Sequence, residues 1–279
     1  MNAEFRTAEL LASQRVRAEG RLTIVQAEGR TRLAELYQEG AAKIRLPKHD
    51  GDGIEAVLIN TAGGLTGGDR LAWRIGVGEN AALTLSTQAC EKIYRSAGGA
   101  AQVSTAVSVG SGGWLAWLPQ ETILFNRAAL DRTLDIELGH GAEALLVEPV
   151  LIGRTAHGET VTRAHLADRW RVRQGGRLVH AEALRLGPDV SRRLAAGAGT
   201  NGARALATVM LAGPRGEGLL KEARTIVGDE GGASFWRVAE TGKLLARIVS
   251  EDGYALRRRL VPLISLLSGQ AALPKSWSL

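Results

Sequence analysis

Three segments of this chain repeat a common pattern at a spacing of roughly 30 residues, the range of stacked repeat units. No other feature limits the possible folds as much. The segments are Gly78 to Gln88 (GENAALTLSTQ), Gly110 to Gln120 (GSGGWLAWLPQ) and Gly139 to Pro149 (GHGAEALLVEP). Each opens on Gly and has a small residue three places later: Ala81, Gly113 or Ala142. Each then alternates, placing Leu83 and Leu85, Leu115 and Trp117, or Ala144 and Leu146 on one face. Period-two alternation is the mark of a half-buried strand. Its recurrence predicts a mainly β protein with a layered or β-helix-like, solenoid-like body, each unit burying its apolar face against its neighbours. A β-sandwich with coincidental spacing is the alternative.

Second strands are expected between these units, at Ala101 to Val109, Thr122 to Phe125 and Leu134 to Leu138. Arg171 to Arg173 and Gly176 to Leu186 continue the pattern more loosely. Helices are few and late. Pro188 to Ala196 reads as a short helix started by Asp189 and stopped at Gly197. Ala233 to Leu245 is ambiguous and leans to strand at Phe235, Trp236 and Val238. Tyr254 to Leu267 is the best helix: Asp252 can cap it, Leu256, Leu260, Leu263 and Leu267 recur at helical spacing, and Gly269 ends it. Arg257, Arg258 and Arg259 are expected on its opposite face. The chain reads as one domain, 1–279, with 1–19 a flexible N-terminal segment. A length of 279 residues suffices for a large core.

Composition agrees. Glycine is abundant at 35 residues, and only 4% of residues are aromatic, which favours a turn-rich β protein with a small-residue interior. The net charge is +6, and Arg outnumbers Lys by 29 to 6. Arg suits planar contacts with carboxylates at protein interfaces. The charge is not clustered with aromatics, so nucleic acid is not an expected partner. It is either a solvated basic face or a means of steering an acidic protein partner. A lone cysteine, Cys90, allows no internal disulfide. Neither a signal peptide nor a run of about 18 apolar residues is visible, so the expected location is cytoplasmic and no membrane span is expected.

The densest motif is Asn60-Thr61-Ala62-Gly63-Gly64-Leu65-Thr66-Gly67-Gly68-Asp69. It follows a short apolar strand, Ala56 to Ile59. Gly63, Gly64, Gly67 and Gly68 mark a tight loop in which glycine supplies positive φ or close backbone approach. A Gly-rich hairpin is the plain reading. A phosphate cradle fails, because no G-K-[ST] or G-x-G-x-x-G is present and Leu71 to Ile75 reads as strand. Further blocks follow in order: Thr87-Gln88 with Lys92, Tyr94, Arg95 and Ser96; Leu118-Pro119-Gln120-Glu121-Thr122-Ile123-Leu124-Phe125; and Gly153-Arg154-Thr155-Ala156-His157-Gly158-Glu159. At these spacings the chain resembles the UreD (UreH) urease accessory family from about residue 20 to the end. Leu273-Pro274-Lys275-Ser276-Trp277 also resembles that family's C-terminal signature. Asn126 departs from the family's usual Asp, which leaves a charge-based role there unsupported.

The residues themselves offer little catalysis. His49, His140, His157, His165 and His180 show no H-x-x-x-H or H-E-x-x-H spacing, and one Cys makes no thiolate cluster, so no stable metal site is expected. No G-x-S-x-G elbow occurs. Asp69, Glu121, Glu148 and Glu159 lie at strand ends or turns. They could cap turns, act in pairs in glycoside hydrolysis, or line a polar passage whose oxygen ligands release a divalent cation. A carbohydrate-active β-solenoid enzyme would need exposed aromatics along a groove. A β-rich interaction module without a metal role is the remaining alternative. The family resemblance implies a scaffold or chaperone rather than an enzyme. It implies binding to apo-urease and UreF, recruitment of the GTPase UreG through UreF, and nickel passing in transit to the urease active site, with no tightly bound cofactor. Gly63, Gly64, Gly67, Gly68, Gln88, Lys92, Tyr94, Arg95, Gln120, Arg154, Arg257, Arg258 and Arg259 are then the motif and interface candidates, and the four carboxylates the passage candidates.

Overall fold

The repeating units coil. In the computed structural model, which describes residues 15–48, 51–154, 157–197, 199–269 and 273–277, the chain winds through successive turns that alternate between two sheets. One sheet takes β5 (Arg70–Val77), β8 (Ala101–Val109), β11 (Ala129–Leu138) and β13 (His165–Gln174), all parallel. The other takes β4 (Ile54–Asn60), β6 (Ala82–Thr87), β9 (Trp114–Leu118) and β12 (Glu143–Ile152), also parallel. Ala82 lies beside Trp114, and Trp114 beside Glu143, so each turn advances 32 or 29 residues. Short strands β7 (Glu91–Ile93) and β10 (Thr122–Leu124) form a third side running on to β12. This is the β-helix-like body expected; the sandwich alternative does not hold.

Stacked glycines explain the repeat's opening residue. The amides of Gly78, Gly110 and Gly139 donate to Ile24, Val77 and Val109 at 2.8, 2.7 and 2.7 Å. A Cβ on Gly110 would sit 2.7 Å from the Glu79 nitrogen, and one on Gly139 2.7 Å from the Ser111 nitrogen. Successive turns therefore touch backbone to backbone at this corner, a contact only glycine permits. The inward alternation holds as well, with Leu83, Leu85, Leu115, Trp117, Ala144 and Leu146 all in the main core.

Both ends are closed by antiparallel strands. At the start, β1 (Arg17–Ala27) runs parallel to β5 and pairs with β2 (Arg30–Glu39), while β3 (Ala42–Arg45) pairs with β4. At the other end β14 (Arg177–Leu186) pairs with β13, and β15 (Ala205–Ala212), β17 (Thr241–Ser250) and β16 (Gly231–Val238) extend the second sheet from β12. Helices α1 (Val190–Ala195), α2 (Gly216–Val227) and α3 (Gly253–Ser268) lie in this C-terminal third. A second core forms where α2, α3 and Trp277 cover the outer face of that sheet. In consequence β9 and β12 are buried on both faces, with Ala116, Leu118, Leu145 and Val147 fully enclosed. Sequence alternation alone implied burial of one face only.

The long helix α3 forms as expected. The Asp252 carboxylate accepts from the Ala255 amide at 2.8 Å, and Gly269 ends the helix in the left-handed region at φ 70°. Its arginines correct the expectation that all three face away. Arg257 turns inward to Glu121 and Arg259 to Glu230, leaving Arg258 exposed. The ambiguous stretch from Ala233 is two strands, as its β-branched and aromatic residues suggested. Of the expected flexible segment 1–19, residues 1–14 lie outside the described residues and Arg17 onward is strand β1. His49, Thr155 and Ala156 also lie outside them.

Candidate functional site: a motif edge and a polar interior

The four ordered motif blocks fall on one edge of the coil, one per turn. Leu65 bridges in parallel to Ile93, and the Phe125 amide donates to the Ile93 carbonyl at 3.1 Å. Ser96 donates to Arg127 at 2.9 Å, Arg127 to Arg163 at 2.6 Å, and Gly153 to Leu124 at 2.8 Å. Side chains stitch the same edge together. Tyr94 meets Phe125 edge-on at 5.1 Å between centroids, and the Arg154 guanidinium lies 4.4 Å above the Phe125 ring. Asn126 accepts through its amide oxygen from the Thr162 amide, the Thr162 hydroxyl and the Arg163 amide. That work needs an acceptor rather than a charge.

The glycine loop closes the top of this edge. Gly63, Gly64 and Gly68 have φ of 76°, 146° and 91°. Gly67 does not; it is needed for space, since a Cβ there would lie 2.0 Å from Ser96 Oγ and 2.4 Å from the Gly98 carbonyl. The Tyr94 hydroxyl donates to the Gly63 carbonyl at 3.1 Å, and Thr66 Oγ1 donates to the Arg95 carbonyl at 2.9 Å. Asp69 is buried and accepts from the Val16 and Thr66 amides at 2.9 and 2.7 Å. Glu159 does the equivalent one edge position further, accepting from the Asn126 and Arg154 amides and from Arg154 Nε. Burial alone would raise Glu159; Arg154 and the two amides override it and hold the carboxyl below its usual range.

Inside the coil the sequence breaks its own apolar pattern. In β11 the inward positions read Leu130, Arg132, Leu134; in β13 they read Leu166, Asp168, Trp170; in β12, Leu146, Glu148, Val150. Stacking sets Arg132 beside Asp168 on neighbouring strands. The Arg132 guanidinium holds Asp168 through two hydrogen bonds, of 3.2 and 2.7 Å, donates to Thr122 Oγ1 at 2.9 Å, and lies 2.6 Å from a Glu148 oxygen. The other Glu148 oxygen accepts from Trp117 Nε1 at 2.9 Å. Glu91 stands beside Thr122 across the β7–β10 pair, accepting from Asn60 Nδ2 at 3.1 Å. Two carboxylates thus contact one guanidinium, and a third, Glu91, feels its charge without touching it. Burial pushes Glu91 up to about 7, against the Asn60 hydrogen bond and the attraction of Arg132. Glu148 is also raised, by burial and by Asp168, although Arg132 opposes this. The interior carries more negative than positive charge and binds protons above the usual carboxylate range.

A third constellation joins the C-terminal helix to the coil. Arg257 Nε donates to Glu121 at 2.6 Å, and its Nη2 reaches both Glu121 and the Gln120 side-chain oxygen. The guanidinium lies 5.3 Å from the Trp277 ring, whose Nε1 donates to the Leu118 carbonyl at 2.9 Å. Burial would raise Glu121, but Arg257 overrides it and the carboxyl sits below its usual range. Cys90 donates to the same carboxylate at 3.3 Å, and burial, with that negative charge, pushes its thiol up to about 11. Beside it lies a pocket of about 280 Å³ lined by Asn60, Gly63, Gln88, Cys90, Glu91 and Lys92.

The structure therefore gathers Gly63, Gly64, Gly67, Gly68, Tyr94, Arg95 and Arg154 along the edge, and Gln88 and Lys92 at the adjoining pocket. Gln120 and Glu121 join Arg257, while Glu148 sits alone among the four carboxylates in the interior. Arg132, Asp168 and Glu91 were missed by sequence reasoning; for Arg132 and Asp168 the signal was a charged residue at the matching inward position of two neighbouring strands. Among the described residues no three His, Cys, Asp or Glu side chains group as a metal site. Of the aromatics a sugar-stacking groove would draw on, Trp73, Trp117, Trp170 and Trp277 are buried, while Tyr37, Tyr94, Trp236 and Tyr254 are exposed.

These features define a right-sized class: a β-coil with a motif-built edge and an ionic interior. A family model described as "UreD urease accessory protein" matches residues 16–278. A Mesorhizobium japonicum protein named urease accessory protein UreD is 55% identical over 267 residues, covering 96% of this chain and 95% of that one. Urease accessory protein UreD 1 of Brucella abortus is 53% identical over 269 residues, covering 96% of each. The chain belongs to the UreD family of urease accessory proteins.

Proposed function

We propose that this chain is a maturation scaffold that binds apo-urease and UreF, receives UreG through UreF, and lets nickel pass to the urease active site during GTP-dependent assembly in the cytoplasm. The observation that carries this reading is the surplus of carboxylates around Arg132. One guanidinium against the buried Glu148 and Asp168, with the half-buried Glu91 nearby, leaves negative charge that attracts a cation, while hard oxygen donors partly satisfied by Arg132, Trp117 and Asn60 would hold it weakly enough to release it. Within the passage, Glu148, Glu91 and Asp168 are the working groups. Asp69 and Glu159, saturated by backbone amides, shape its edge, and Glu121 with Arg257 anchors the C-terminal helix against it.

The test uses a urease-positive host lacking this gene. Complementation with the parent should restore urease activity without added nickel, and activity in the uncomplemented host would overturn the reading. Glu91→Gln with Glu148→Gln should lower the nickel content of matured urease while pull-down of UreF and apo-urease is unchanged. Normal nickel loading with an intact complex would remove the passage from the proposal.

A further inference from the structure

Among the described residues no further strand pairs with the last strand of the first sheet, whose outer edge is tied only where the Thr31 amide donates to the Asp52 carbonyl at 3.2 Å. β2 is the outermost of seven strands, and nine of its ten residues are exposed. It carries Leu33, Leu36 and Tyr37 at 43%, 40% and 41% exposure. Its sequence, RTRLAELYQE, is ten residues long without Pro or Lys; the protections it does carry, four charged side chains and a bulge, are the features that make it self-complementary.

The bulge in β2 decides what can pair there. Along β1 the register runs Thr23 to Glu35 and then Ile24 to Leu33, so Ala34 has no partner in the ladder.

 Skipping Ala34 puts Leu33 and Leu36 on the same face as the buried Leu22 and Ile24, together with Thr31 and Gln38. Arg30, Arg32, Tyr37 and Glu39 share the outer face. An antiparallel pairing of β2 with a second β2, centred between Ala34 and Glu35, then matches faces throughout. On the outer face Arg30 meets Glu39 and Arg32 meets Tyr37; on the inner face Leu33 meets Leu36 and Thr31 meets Gln38. A two-fold axis makes each pair twice. Without the bulge these partners would fall on opposite faces and symmetric pairing would fail.

We propose that β2 is a self-association edge, through which two copies of this chain join their seven-stranded sheets into one. The interface is isologous and combines ion pairs, cation–π contacts and an apolar contact at directly opposed positions. On the outer face the intrachain contacts to be exchanged are exposed: Arg32 to Glu28 at 2.7 Å, and the Tyr37 hydroxyl to Glu39 at 2.9 Å. Exchanging such pairs costs little. On the inner face Gln38 and Thr31 keep the hydrogen bonds they accept from the Ile44 and Ala82 amides.

The test is sedimentation equilibrium on the purified full chain, with Arg30→Glu, Glu39→Arg and the two combined. The parent should show a concentration-dependent monomer–dimer equilibrium. Each single reversal should raise the dimer Kd about tenfold, and the double reversal should restore it, because the pair is rebuilt across the axis. Circular dichroism should show the same β content in all four proteins, as both positions are exposed. A second set, in a Cys90→Ser background, carries Leu33→Cys with Leu36→Cys; oxidation should give a disulfide-linked dimer, since directly opposed strand residues meet the geometry of that bond. A parent that stays monomeric throughout, including one whose edge pairs only with a foreign strand, overturns the proposal. So does a dimer that ignores both reversals or fails to recover in the double variant.

Discussion

The motif edge and the polar interior occupy adjoining sides of the same turns, yet they are specified by opposite means. Along the edge, identity matters where side chains are missing. Gly64 and Gly67 are required because the next turn's backbone lies within 2.6 Å of where a Cβ would be. Polar groups there are satisfied mostly by main-chain amides and carbonyls, as at Asp69 and Asn126. In the interior, identity matters through charge. Arg132, Glu148 and Asp168 hold one another with almost no help from the backbone. The edge should therefore be sensitive to volume and tolerant of charge, and the interior the reverse.

The sharpest break in this comparison is Arg132→Met. It nearly conserves length but strands Glu148 and Asp168 in the core without their cation. The expected loss is about 3–5 kcal/mol, the usual cost of breaking a buried ion pair from one side. It should show as a large fall in the urea midpoint. Neutralising the partners as well, with Glu148→Gln and Asp168→Asn, should recover much of it. A single variant as stable as the parent would mean that packing, and not charge, holds the interior.

On the edge the corresponding break is steric. Gly67→Ala places a methyl group against Ser96 Oγ and two carbonyls, and should cost about 2–3 kcal/mol, as overpacking does. Gly63→Ala is the control. Its φ is 76°, but a Cβ there meets nothing within 4 Å, so only the backbone penalty of about 1 kcal/mol remains. Equal melting temperatures for the two variants would show that the close approach at Gly67 is not what the loop requires.

The interior should also respond to pH where the edge does not. Glu91 is held at about 7 in the fold against an ordinary 4.5. Between those values the folded chain binds more protons than the unfolded one, so stability falls as pH rises through the window and levels off above it. The stabilisation is fully present below pH 4.5, and the total change is on the order of 3 kcal/mol. Glu91→Gln should flatten this part of the stability profile. A profile unchanged by the substitution would assign the titration to another group, Glu148 being the nearest candidate.

Much of this architecture was legible in the sequence, and what was missed has physical reasons. The coil was readable because Gly78, Gly110 and Gly139 mark the same corner in each turn, and alternation follows each of them. Helix α3 was readable because its cap, apolar stripe and terminal glycine agree. Helix α2 was not: Leu219, Leu220, Ala223, Ile226 and Val227 make an apolar stripe toward the second core, but Arg215 provides no side-chain cap and two glycines, Gly216 and Gly218, open the helix. The hairpin of β1 and β2 was missed because the bulge in β2 puts Leu33 and Leu36 three residues apart on one face and so hides the alternation. Among site residues, the edge glycines and Tyr94 announced themselves through local motifs. The Arg132 cluster did not, because its members are brought together by registers 36 residues apart and by a third strand from another sheet. Arg257 was assigned to the wrong face since helical periodicity cannot show that Glu121 waits on the buried side.

The smallest effect is expected at Asn126, and it tests the comparison from the side of charge. This residue stands where the resemblance led to an expected Asp. Its amide oxygen accepts from the Thr162 amide, the Thr162 hydroxyl and the Arg163 amide at 3.2, 3.3 and 3.2 Å. A carboxylate can accept all three, and nearby Arg154 and Arg163 would tolerate the added negative charge. Glu159, which accepts from the Asn126 amide, would oppose it. Asn126→Asp should therefore shift stability by less than about 0.5 kcal/mol, the scale of substitutions outside buried networks. Urease activation in a complemented host should be unchanged. Asn126→Leu, which keeps the volume but removes the acceptor, should cost about 1–3 kcal/mol for the unsatisfied amides. If Asp proved as damaging as Leu, charge would matter on the edge after all, and the division between a backbone-specified edge and a charge-specified interior would fail there.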